Sequence, residues 1–314
     1  MHARSLWTAA LVATLPSTLV GQSAVTPRAL FITVENNVEL EVLDWGGSGR
    51  PVVLLAGNGN TAHDFNDFAS SLKASYHVYG ITRRRFGASS APPTGYEADR
   101  LADDVLAVID SLGLRRPVLV GHSLAGQELS SIGSRHPEKV SGLIYLDAAY
   151  QFAFYNGSPS NLRIDLNELR RRIAQLQAAT DPGEMRQLIE QLLDTDLPAF
   201  ERDLRETQKQ LSPSSMDPPP PVLPSRNGVA RAIAEGMQRY TDIRAPVLAI
   251  FAIWPDTSPD ELAMQFFQAD AFERGVPTAR VVRLRNADHF VFRSNEADVL
   301  REMHAFIGRL PPWR

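Results

Sequence analysis

The sequence predicts an α/β architecture: a mostly parallel sheet covered by helices on both faces, with a helical insertion. Three observations predict it. From about Phe31 onward, short apolar runs alternate with segments of helical spacing, the pattern of strands joined by crossover helices. One run, Val118-Leu119-Val120-Gly121-His122-Ser123-Leu124-Ala125-Gly126, carries a serine at an abrupt passage from strand to helix. Between Asn161 and Leu211 the alternation gives way to a charged, strongly helical stretch. At 314 residues the chain can bury a large core, as one large domain or a domain with an insertion.

Phe31–Val34 and Val38–Leu43 alternate as strands do, with Asn36-Asn37 as the turn between them. Gly46–Gly49 is a loop, and Pro51–Ala56 is a buried strand ending at Gly57-Asn58-Gly59-Asn60. Phe65–Leu72 reads as a helix and His77–Ile81 as a strand. Leu101–Leu112 has helical spacing, with Asp103, Asp104 and Asp110 on its polar face. Pro117–Val120 feeds the serine turn, and Leu143–Leu146, Val247–Phe251 and Ala279–Leu284 complete the strands. A Pro-rich piece, Ser212–Pro224, is expected to be extended. The core is therefore assigned to residues 30–149 and 240–314, and residues 150–239 to an inserted helical cap. The insertion leaves and rejoins the sheet at the strands' carboxyl ends, where ligands bind in open α/β sheets.

Bulk properties narrow the partners. A formal net charge of -4 with no long single-sign run gives no sign of a nucleic-acid partner. With no cysteine, thiol catalysis, disulfides and cysteine-based metal sites are excluded together. No H-E-x-x-H or similar spacing calls for a metal, and no motif calls for an organic cofactor. The N-terminus has a separate job. Met1–Arg4 is positive, Leu6–Val20 is free of charge, and small residues follow at Gly21–Ala24. That is the pattern of a cleaved signal peptide, here residues 1–23, and it places the mature protein outside the cytoplasm, secreted or periplasmic. The apolar run is too short, and too broken by Pro16, for a stable membrane anchor.

The chemistry centres on Ser123. A sharp strand-to-helix turn holds a serine hydroxyl out for attack, and only small residues fit two positions before and after it, here Gly121 and Ala125. G-x-S-x-G is thus met with alanine for the last glycine. A serine needs a base, and the base needs an orienting group. Of seven histidines, His289 lies in the loop after the last strand, far along the chain from the serine, where the base is expected. His122, inside the turn, is expected to point away from the serine's direction.

In this order these motifs resemble those of the α/β-hydrolase family, in its form with an inserted helical cap. Val118–Gly126 resembles the nucleophile elbow, and Asp288-His289-Phe290 the histidine loop. Thr82–Ser89 resembles the arginine- and glycine-containing loop after the fourth strand. Ala56-Gly57-Asn58-Gly59 resembles the loop that commonly begins His-Gly, with Ala56 in the histidine's place. The resemblance implies a Ser-His-Asp triad and two candidate acids. Asp256, just past Val247–Phe251, is where most of the family keeps its acid and is taken first. Asp147, at the end of Leu143–Leu146, is the alternative used by some capped relatives. Backbone N–H groups of Leu124 and Asn58 are the expected oxyanion donors. The expected reaction is hydrolysis of a small-molecule carboxylic ester or lactone through an acyl-enzyme. An acyltransferase, a perhydrolase and a non-catalytic ligand-binding protein on the same fold remain as alternatives. Relatives that attack through aspartate at the elbow, such as dehalogenases and epoxide hydrolases, are disfavoured by Ser123.

Overall fold

A computed structural model describes residues 26–149, 162–210, 232–233, 236–238, 240 and 242–313. The expected signal segment and the Pro-rich piece lie outside the described residues. Among the described residues, eight strands form one sheet in the order β1-β2-β4-β3-β5-β6-β7-β8. They are β1 (Arg28–Glu35), β2 (Val38–Gly46), β3 (Pro51–Leu55), β4 (His77–Ile81), β5 (Val118–His122), β6 (Gly142–Leu146), β7 (Val247–Ile253) and β8 (Ala279–Arg285). The two pairs made by β2, with β1 and with β4, are antiparallel; the other pairs are parallel.

The central strands β3, β5, β6 and β7 are buried along their whole length, which is why they read as unbroken apolar runs. Their alternate side chains feed two cores. Val53, Leu119, Leu143 and Val247 pack with Ala102, Leu129 and Phe272 on one face. Val52, Val120, Ile144 and Leu248 pack with Phe65, Phe68, Phe292 and Met303 on the other. The covering helices are α1 (Asn66–Leu72), α2 (Ala98–Ser111), α3 (Gly126–Arg135), α7 (Pro259–Gly275), α8 (Val291–Ser294) and α9 (Glu296–Ile307), with α4 (Leu162–Ala178), α5 (Pro182–Gln191) and α6 (Leu197–Gln210) between β6 and β7. A single π turn, Leu192–Asp196, joins α5 to α6, and buried Asp196 accepts from Arg172 Nε at 3.0 Å.

Asp104 departs from the expected polar face of α2. It is 2% exposed and accepts from Arg84 Nε and Nη2, each at 2.7 Å. The helix turns this carboxylate inward because a buried arginine from the loop after β4 neutralises it there. The chain order reverses at β3, with β4 on one side and β5 on the other. That reversal opens a crevice at the carboxyl ends of β3 and β5, the place where ligands bind in such sheets.

Candidate active site

Ser123 stands in that crevice. His122 is extended (φ -99°, ψ 136°), Ser123 is left-handed at φ 52°, and Ala125 already has helical angles. Left-handed backbone costs a non-glycine residue about 1–2 kcal/mol, so the packing around the turn must hold it. Gly121 shows how closely the turn is packed. A Cβ there would sit 2.9 Å from Leu129 Cδ1 and 3.1 Å from Ala125 Cβ. The methyl of Ala125 is accommodated because the residue facing it has none, so the departure from G-x-S-x-G leaves the turn intact.

Asp147 follows β6 directly and is also left-handed, at φ 47°. Its N–H donates to Ile250 O at 2.8 Å, and its Oδ1 accepts the Ala252 N–H at 3.0 Å. The other oxygen, Oδ2, lies 2.7 Å from His289 Nδ1. Because a carboxylate only accepts, Nδ1 carries the proton and Nε2 keeps its lone pair. Asp256, taken first from the sequence, is placed elsewhere. Strand β7 runs two residues past its expected end, to Ile253, and carries Asp256 into an exposed turn at φ 55°. There it borders a separate depression with Trp254, Arg285 and Asn286. Asp260 lies exposed in the first turn of α7, and Asp288 is occupied in a turn, accepting the Phe290 N–H at 2.7 Å.

Ser123, Asp147 and His289 line one cavity of about 530 Å³. No hydrogen bond joins Ser123 Oγ to His289 among the described residues; such bonds often tighten only when substrate arrives. The cavity wall is mainly apolar, from Ala148, Ala149, Phe251, Trp254 and Met264, with Gln265 and Gln268 among its polar groups. No cluster of three or more metal-ligating side chains occurs among the described residues.

The expected oxyanion segments border the serine. Register pairs Leu55 with Gly121, so the loop after β3 runs beside the elbow. Gly57 touches it: a Cβ there would come within 2.9 Å of His122 Nδ1 and 3.1 Å of Ser123 Cβ. Asn58 follows on the exposed side, and Leu124 is buried at the start of the helical turn.

Two residues enter the site through partners the sequence did not point to. His122 is buried beneath the histidine loop, where its Nε2–H donates to His289 O at 2.9 Å. Its ring packs against those of His289, Phe290 and Phe292. Burial first, and then the neighbouring His289, lower its pKa to about 4, against the carbonyl that accepts from it. His122 is therefore neutral at pH 7. Arg83, after β4, reaches under the loop after β3 and donates to Ala56 O at 3.0 Å. Only the position of His122, between Gly121 and Ser123, was a signal for the first; adjacent arginines at 83–85 hid the second.

A left-handed serine at the switch point of a mostly parallel sheet thus shares one cavity with a histidine–aspartate pair, on an α/β architecture. The chain belongs to the Alpha/beta hydrolase family, whose model matches residues 52–302. An AB hydrolase superfamily protein, YisY, from Bacillus subtilis (strain 168) is 27% identical over 83% of this chain and 92% of its own length. A bifunctional esterase/perhydrolase from Acinetobacter calcoaceticus is 32% identical over 34% of this chain and 40% of its own. The match spans only about 37–40% of the length of the first curated relatives, which also include non-heme haloperoxidases. Among solved structures, that of E-2-(acetamidomethylene)succinate hydrolase superposes with a TM-score of 0.58 at 20% identity, over 90% of this chain and 99% of the other; that likeness is one of fold.

Proposed function

We propose that the protein is a serine hydrolase that cleaves a carboxylic ester or lactone through Ser123, His289 and Asp147. The observation that carries the reading is the 2.7 Å bond from His289 Nδ1 to Asp147 Oδ2 in the cavity that Ser123 lines. His289 Nε2 takes the Ser123 proton as Oγ attacks the carbonyl carbon. The oxyanion that forms is met by the N–H groups of Leu124 and Asn58. His289 then gives its proton to the leaving alkoxide, leaving an acyl-enzyme, and activates a water to release the acid. Asp147 holds the imidazole in its Nδ1–H form and stabilises the imidazolium. The apolar wall fits an uncharged acyl or alcohol group, and helices α4–α6 belong to a cap that bounds what reaches it. The mature enzyme acts outside the cytoplasm after loss of residues 1–23.

Transfer of the acyl group to hydrogen peroxide needs only a different acceptor, and the esterase/perhydrolase relative favours that second reading. A fluorophosphonate probe with a graded panel of p-nitrophenyl esters and lactones tests the first. Wild-type protein should be labelled and turn over at least one ester, while Ser123→Ala does neither. No labelling of the wild type, or equal labelling of Ser123→Ala, would leave a ligand-binding protein instead. Peracid formed from ester and peroxide, faster than acid is formed in water, would favour perhydrolysis.

A further inference from the structure

Below the loop after β3 lies a buried ion pair that the triad does not use. Arg83 and Glu128 are 7% and 3% exposed, with Arg83 Nε donating to Glu128 Oε1 at 2.6 Å. The rest of the guanidinium points at the loop: Nη2 donates to Ala56 O at 3.0 Å and Nη1 to Gly57 O at 3.5 Å. A trans peptide is planar, with its C=O and N–H pointing in opposite directions. The Gly57 carbonyl also accepts the Asn60 N–H at 3.3 Å, and with that carbonyl turned toward Arg83 the Asn58 N–H points away from it. Among the described residues, no acceptor takes that N–H.

We propose that Arg83 is a positioning residue that aims the Asn58 N–H at the oxyanion, with Glu128 holding the guanidinium in place. The proposal rests on the hydrolytic reading above. Three features favour it over a purely structural pair. The arginine's remaining donors go to the two carbonyls preceding the oxyanion donor. Ala56 leaves the loop without a polar side chain of its own at that point. Glu128 Oε1 takes the Nε–H, which turns the Nη edge of the guanidinium toward the loop. A cation on the carbonyl also polarises the peptide and strengthens its N–H as a donor.

Removing an oxyanion donor outright costs about 100- to 1,000-fold in kcat, and loosening one should cost less. The test compares kcat and KM for a p-nitrophenyl ester in four variants, at matched folded fraction by circular dichroism. Arg83→Met combined with Glu128→Leu removes both charges, so no carboxylate is left buried alone. Its kcat should fall about 10- to 100-fold with KM within about threefold. Arg83→Lys keeps the charge but loses the fork and should lose about 5- to 10-fold in kcat; it carries the test if the double variant does not fold. Arg84→Lys alters the equally buried Arg84–Asp104 pair, and should lower Tm while leaving kcat unchanged. Unchanged kcat in a folded double variant or in Arg83→Lys overturns the proposal, as does an equal kcat loss in Arg84→Lys. Ser123→Ala separates the two readings. If it stays active the hydrolytic reading fails; if it is dead while Arg83 variants keep full kcat, only the positioning role fails.

Discussion

Lowering the pH should destabilise this fold through His122. In the unfolded chain an imidazole titrates near 6.5, but in the folded protein His122 titrates at about 4. Between those values the unfolded state binds a proton that the native state refuses. Stability is therefore full above about 6.5, is lost as pH falls toward 4, and levels off below. Each pH unit of that window is worth about 1.4 kcal/mol, so His122 alone accounts for about 3 kcal/mol. The structural cause is plain. A charged ring would sit buried against His289, Phe290 and Phe292, and Arg293 adds to the repulsion while Asp64 offsets part of it. The assay is urea denaturation from pH 4 to 8 on wild type and His122→Phe. Carboxylates elsewhere affect both proteins alike, so the difference in slope isolates His122. The variant should lose about 1 kcal/mol at pH 8, where the bond to His289 O is gone, and should lose less than wild type on acidification. Parallel pH profiles for the two proteins would refute the reasoning.

Three further outcomes follow from the packing and the sequence. Gly57→Ala forces a methyl against His122 and Ser123; kcat should fall by about tenfold or more, beyond the about 1–3 kcal/mol of lost stability read by thermal melting. Ala125→Gly should cost about 0.5–1 kcal/mol in Tm-derived stability, from backbone freedom, and leave kcat within twofold. Protein exported by a secretory host and sequenced from its N-terminus should begin just after Ser23 or Ala24; an intact Met1 would contradict the signal assignment.

The sheet was legible because its central strands are buried on both faces. Full burial writes continuous apolar runs such as Val52–Leu55 and Leu143–Leu146, and a two-residue error at a strand end does not change the topology. That same small error decided the acid. With β7 ending at Ile253 rather than Phe251, Asp256 moves into solvent, and the carboxylate beside His289 comes from β6. Which strand end lies under the histidine loop is a matter of sheet order and register, neither of which a linear pattern carries. Ser123, His289, Asn58 and Leu124 could be named as candidates because short motifs mark their positions in the chain. The roles of His122, Arg83 and Asp104 could not, because they depend on partners 167, 27 and 20 residues away in the chain.

That Ser123 is served by His289 held by Asp147 is tested most directly by the kcat of Asp147→Asn beside that of Asp256→Asn. Asparagine can still accept the Ala252 N–H through its oxygen, so Asp147→Asn should fold with a Tm close to wild type. Its amide would face His289 Nδ1 with a donor, force the wrong tautomer and cut kcat by about 1,000- to 10,000-fold, while Asp256→Asn stays within about twofold. A folded Asp147→Asn with near wild-type kcat, or a loss of that size in Asp256→Asn instead, would contradict it.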